Sequence, residues 1–104
     1  MLELSEIRKL LRNGKIITSV HILEQLDERD IKYSEVKRAI NEGEIIEQYP
    51  DAYPYPACLV LYINIDGIPL HVVVASDSEY ITLVTAYRPS IDRFESDWKT
   101  RKRR

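Results

Sequence analysis

Apolar residues recur at helical spacing through the first forty positions and at strand spacing from Glu44 onward, and this change of period organises the chain. Leu4, Ile7, Leu10 and Leu11 share one face; with Ser5 near the start and Gly14 just beyond, they predict a helix over residues 4 to 13. After the apolar pair Ile16-Ile17, Thr18 or Ser19 can cap a second helix whose inward face is Val20, Leu23 and Leu26. Asp30 to Tyr33 interrupts the pattern. Ser34 is then the expected cap of a third helix, with Val36, Ala39 and Ile40 inward and Gly43 as its stop. The second and third helices read as a short hairpin.

Four runs rich in β-branched and aromatic residues follow, at 44 to 49, 57 to 65, 68 to 76 and 80 to 87. Asp66-Gly67 is a hairpin turn signal and Ser76 to Glu79 a polar turn, so the last three strands form an antiparallel meander. Between the first two runs, Pro50, Pro54 and Pro56 stiffen a loop carrying Tyr49, Tyr53 and Tyr55. Pro89-Ser90 is read as the start of a closing helix with Ile91, Phe94 and Trp98 on one side. The expected fold class is α+β: N-terminal helices, then a four-stranded mainly antiparallel sheet and a C-terminal helix, with the helices on one face of the sheet.

With 104 residues there is enough chain for one domain, and 1–104 is taken as a single unit. No run approaches the length of a membrane span, and Met1-Leu2-Glu3-Leu4 begins no signal peptide, so a cytoplasmic protein without membrane contact is expected. A lone Cys58 supports neither a disulfide framework nor a thiol-rich metal site, and no cofactor motif is present. Although the net charge is only -2, residues 99 to 104 hold five of the 15 basic groups and none of the 17 acids. The body is therefore acidic and its end basic, which argues against a broad nonspecific nucleic-acid face.

Ser19-Val20-His21 with Arg29 eight residues on, Gly43 to Tyr49, Pro56 to Leu61, Pro69-Leu70-His71-Val72-Val73 and Thr85-Ala86-Tyr87 occur in an order that resembles the family called domain of unknown function 4258. The resemblance covers about residue 16 to the basic end: residues 1–14 form a helical extension, 16–98 the family core and 99–104 a basic tail. It implies a RelE/barnase-like toxin ribonuclease fold. It also implies a partner, a small zinc-finger or helix-turn-helix antitoxin. The chain departs from the family pattern at Gln25, where a second arginine is usual, at Asp30, where glycine is usual, and at Arg88, where an acid is frequent.

Metal-free RNA cleavage needs a proton acceptor for the ribose 2′-hydroxyl, a donor for the leaving oxygen and a cation for the phosphate. His21 and His71, the only two histidines, and Tyr87 are the candidate catalytic groups. Arg29, Arg88 and Gln25 are candidates for holding phosphate or RNA. Each has a plainer reading: His21 as a helix-surface group, His71 as a satisfied histidine between Leu70 and Val72, and Arg29 as a partner of neighbouring acids. Tyr87 and Arg88 are adjacent on a strand, so one of them at most faces a given site. The three loop tyrosines either pack over the sheet edge or stack on unpaired bases. The expected function is a toxin-like, metal-independent endoribonuclease acting on single-stranded RNA. The alternative is a noncatalytic protein-interaction module of the same fold. Exposed sheet edges also make a homodimer an expectation.

Overall fold

Residues 1–103 are described by a computed structural model. Their elements are α1 (Leu4–Arg12), β1 (Ile16–Ile17), α2 (Val20–Glu28), α3 (Tyr33–Glu42), β2 (Glu44–Tyr49), β3 (Ala57–Ile63), β4 (Pro69–Ser76) and β5 (Ile81–Tyr87). Ser19 caps α2, its hydroxyl accepting from the Ile22 amide at 3.1 Å. Neither Ser5 nor Ser34 caps a helix. The chain bends into α1 at Glu3 and into α3 at Lys32, which leaves both serines inside the first turn. Gly43 does end α3, and it does so because of space: a Cβ there would lie 2.5 Å from the carbonyl oxygens of Ala39 and Leu61.

The strands form one sheet in the order β1-β5-β4-β3-β2. β2 to β5 pair antiparallel, as expected, while β1 lies parallel to β5 with Ile16 opposite Ile81. The four-stranded sheet is thus corrected to a mixed sheet of five, because a two-residue strand is too short to display a period of two. In the Asp66-Gly67 turn, Gly67 takes φ +77° and the Asn64 side chain accepts from the amides of Asp66 and Ile68.

All three helices pack on one face of the sheet, where Val60, Leu70, Val72, Val74, Ile81, Leu83 and Ala86 meet Ile7, Leu26, Val36 and Ile40. Val20 and Leu23 are not part of this layer; they are 71% and 43% exposed, and Ile22 and Leu26 turn inward instead. The spacing of apolar residues in α2 admits either face, and contact with β5 selects one. None of the described helices is long and apolar enough to cross a membrane.

The expected C-terminal helix does not form. Residues 91–93 and 96–97 are turns, and Phe94 makes an antiparallel bridge to Arg101. Short polar side chains capture the amides that a helix would need: Ser90 Oγ accepts from Asp92 N, and Asp97 accepts from Lys99 N and Thr100 N. Trp98 has φ +62°, a left-handed conformation uncommon for a bulky residue. This C-terminal strap lies across the sheet face opposite the helices.

Candidate functional site

That opposite face is built by β4 together with two irregular strands. His71 lies directly opposite Leu61 of β3 and Tyr87 of β5. Both β2 and β5 carry a register shift, between Ile45 and Glu47 and opposite Val73/Val74. Each shift adds one residue on its strand and reverses which side the following residues face. Ile45 and Leu83 thus belong to the helix-side core, while Glu47 and Tyr87 come to the face of His71.

His71 is fully buried and wrapped by aromatic rings, edge-on to Tyr87 at 5.4 Å and to Phe94 at 4.6 Å between centroids. Its Nε2 lies 2.8 Å from the Trp98 carbonyl oxygen and its Nδ1 3.4 Å from the Tyr87 hydroxyl. A carbonyl can only accept, so Nε2 carries the proton and Nδ1 presents a lone pair to Tyr87. Burial lowers the His71 pKa, against the opposing pull of the Trp98 carbonyl and of Glu47, so the ring is neutral at pH 7.

Beside it, Arg101 forks onto Glu47 through Nε at 2.8 Å and Nη2 at 2.9 Å, and stacks over Phe94 with 4.9 Å to the ring centroid. The hydrogen bond from Arg101 holds the Glu47 carboxyl below the usual range, and Tyr49 also donates to this carboxylate. Burial and Glu47 push Tyr49 up to about 12, and burial also raises Tyr87, so both phenols remain protonated. Lys99 ties the strap to β2 through Glu44 at 2.8 Å. Together these residues bring a neutral histidine, two hydroxyl donors, a carboxylate and a guanidinium to one place.

Only two of the six residues singled out in the sequence, His71 and Tyr87, belong to this cluster. His21 is exposed on α2, 3.2 Å from Gln25, on the helix side of the sheet. Arg29 donates to the Ala86 carbonyl at 2.8 Å and to Thr85 Oγ1 at 3.1 Å, closing the part of β5 that β1 leaves uncovered. Arg88 points the other way from Tyr87 and forks onto Glu35 of α3 at 2.7 and 2.8 Å. Glu47 and Arg101 join the cluster although neither is a candidate from the sequence: Glu47 lies in a strand run within the Gly43 to Tyr49 motif, and Arg101 in the basic end. Cys58 is buried among apolar side chains, which push its thiol up to about 11.

Along the same face, a groove of about 430 Å³ continues from the cluster, floored by Val73, Ala75 and Val84 and walled by Tyr49, Tyr53 and Tyr55. Packing of these rings over the sheet edge does not hold for Tyr53, which is 96% exposed.

Residues 18–88 match the family described as Domain of unknown function (DUF4258). The chain belongs to this family. Glu47, His71 and Tyr87 lie within the DUF4258 match, whereas Phe94, Trp98 and Arg101 follow it. The cluster is therefore assembled from the DUF4258 sheet and the strap beyond it. No match was found among curated proteins.

Proposed function

We propose that this DUF4258 chain is a toxin-like, metal-independent endoribonuclease acting on single-stranded RNA, with its site at Tyr87, His71, Glu47 and Arg101. The single observation that carries this reading is the His71–Tyr87 pair, a neutral imidazole with its lone pair directed at a phenol, next to a guanidinium. The Tyr87 hydroxyl takes the ribose 2′-hydroxyl proton while passing its own to His71 Nδ1. The 2′ oxygen then attacks phosphorus and the bond to the 5′ oxygen breaks, leaving a 2′,3′-cyclic phosphate. A water protonates the leaving oxygen, and the hydroxide so formed recovers the proton from His71 through Tyr87. The Trp98 carbonyl fixes the tautomer throughout. Arg101 spends two of its five N–H donors on Glu47, and the half-exposed guanidinium offers its remaining edge to phosphate oxygens.

A second reading, a noncatalytic protein-interaction module, is favoured by the complete burial of His71 and by the acids Glu24, Asp27, Glu28 and Asp30 around Arg29. In either case the family resemblance supports a small antitoxin-like protein as the partner. Incubating purified protein with single-stranded RNA in chelator, beside Tyr87→Phe and His71→Gln, separates the two readings. Cyclic phosphate ends from the wild type alone support catalysis at this pair. No cleavage by any of the three leaves the interaction module.

A further inference from the structure

We propose that the groove walled by Tyr49, Tyr53 and Tyr55 is a subsite for one unpaired nucleobase of the RNA whose phosphate Arg101 holds; this rests on the ribonuclease reading above. Val73 lies two residues along β4 from His71 on the same face, a step of about 7 Å, so the groove starts where the cluster ends. Tyr49 belongs to both: its ring lines the groove and its hydroxyl donates to Glu47. A strand with its phosphate at Arg101 brings a neighbouring base over this floor.

The chemistry of the groove selects a base over a charged group. Among the described residues no ionised side chain lines it, its floor is aliphatic, and its walls are phenols with flat faces and polar edges. Its volume of about 430 Å³ lies in the range of small-ligand sites. Tyr53 and Tyr55 are 96% and 44% exposed, and Pro50, Pro54 and Pro56 stiffen the loop that carries them. A stiffened backbone lowers the ordering cost of presenting the rings for stacking. Every base offers a π-face, so the subsite is tolerant of sequence.

The test uses the full chain and a labelled, uncleavable 2′-O-methyl oligouridine, read by fluorescence anisotropy beside the same backbone with abasic residues. Tight binding of the base-bearing strand is expected, with Tyr53→Ala/Tyr55→Ala weaker by about fivefold or more and Tyr53→Phe/Tyr55→Phe unchanged. Both positions are exposed, and an unshifted melting temperature checks that the fold is kept. Equal binding of the abasic strand, an unaffected alanine variant, or no binding of either strand overturns the subsite. Cleavage of the corresponding ribonucleotide strand is scored separately. Base-dependent binding without cleavage supports the subsite and removes the catalytic reading; cleavage without base-dependent binding does the reverse.

Discussion

Tyr87 faces His71 across the β4–β5 pair because β5 carries one residue more than β4 at Val84. Strict alternation from Ile81 and Leu83, both in the helix-side core, would carry Tyr87 to the helix side as well. The extra residue in β2 does the same for Glu47. Two bulges, one in each strand flanking the β3–β4 pair, therefore create the cluster. Bulges recur where a strand must re-aim a side chain.

Replacing Tyr87 by Phe keeps the edge-on ring contact and removes only the hydroxyl that faces His71 Nδ1. The hydrogen bond is long, at 3.4 Å, so stability should fall by about 1 kcal/mol or less. RNA cleavage should fall by about a hundredfold, the scale of a lost proton-transfer group. Thermal melts and initial rates on one preparation check both; a rate equal to wild type would remove Tyr87 from the mechanism.

Acid should loosen the fold in two stages. Burial sets the folded His71 pKa below its ordinary 6.5, so the unfolded chain takes up a proton there before the folded one does. The contribution of His71 is complete above pH 6.5 and is lost as pH falls through the folded value. Glu47, lowered from 4.5, adds a second loss below that pH. Urea midpoints should thus fall from pH 7 to pH 5, and the slope should flatten in His71→Gln. An identical slope in that variant would show that burial of this ring does not set the pH response.

His21→Ala and Arg88→Ala should leave cleavage at the wild-type rate. His21 lies on the helix side of the sheet, and the Arg88 guanidinium is occupied by Glu35. Arg88→Ala should lower stability by about 1 kcal/mol, because the pair is only partly buried. A cleavage defect in either variant, with the fold intact, would move the site to the helix face.

Gly43→Ala should destabilise by about 1–3 kcal/mol, since its Cβ meets two backbone oxygens at 2.5 Å that have no rotamer by which to yield. A different cause of loss is expected at Gly14. It has open space around it and a φ of +71°, so Gly14→Ala meets backbone strain and no clash. Denaturant midpoints check both: each should fall, that of Gly14→Ala by about 1–2 kcal/mol of stability, and an unchanged midpoint in either variant would remove its stated cause.

The sequence by itself determined the periodic parts of this protein: three helices, the β2–β5 antiparallel runs, a cap of α2 at Thr18 or Ser19, the Gly67 turn and a helix-side core of Val36, Ala39 and Ile40. These rest on local spacing and turn chemistry, which neighbouring residues carry unaided. His71 and Tyr87 stood out because few residue types do such chemistry. Tertiary structure decided which of the candidates meet. A bulge is one added residue, and it leaves no mark on a run that is apolar on both faces, as residues 81 to 87 nearly are. The partner of Arg88 lies 53 residues away and that of Arg101 lies 54 away. The spacing of Ile91, Phe94 and Trp98 suggested a helix, but competing side-chain hydrogen bonds and the space above His71 made it a strap. Local pattern sets the long periodic elements; long-range register and packing decide the short ones and which side chains share a site.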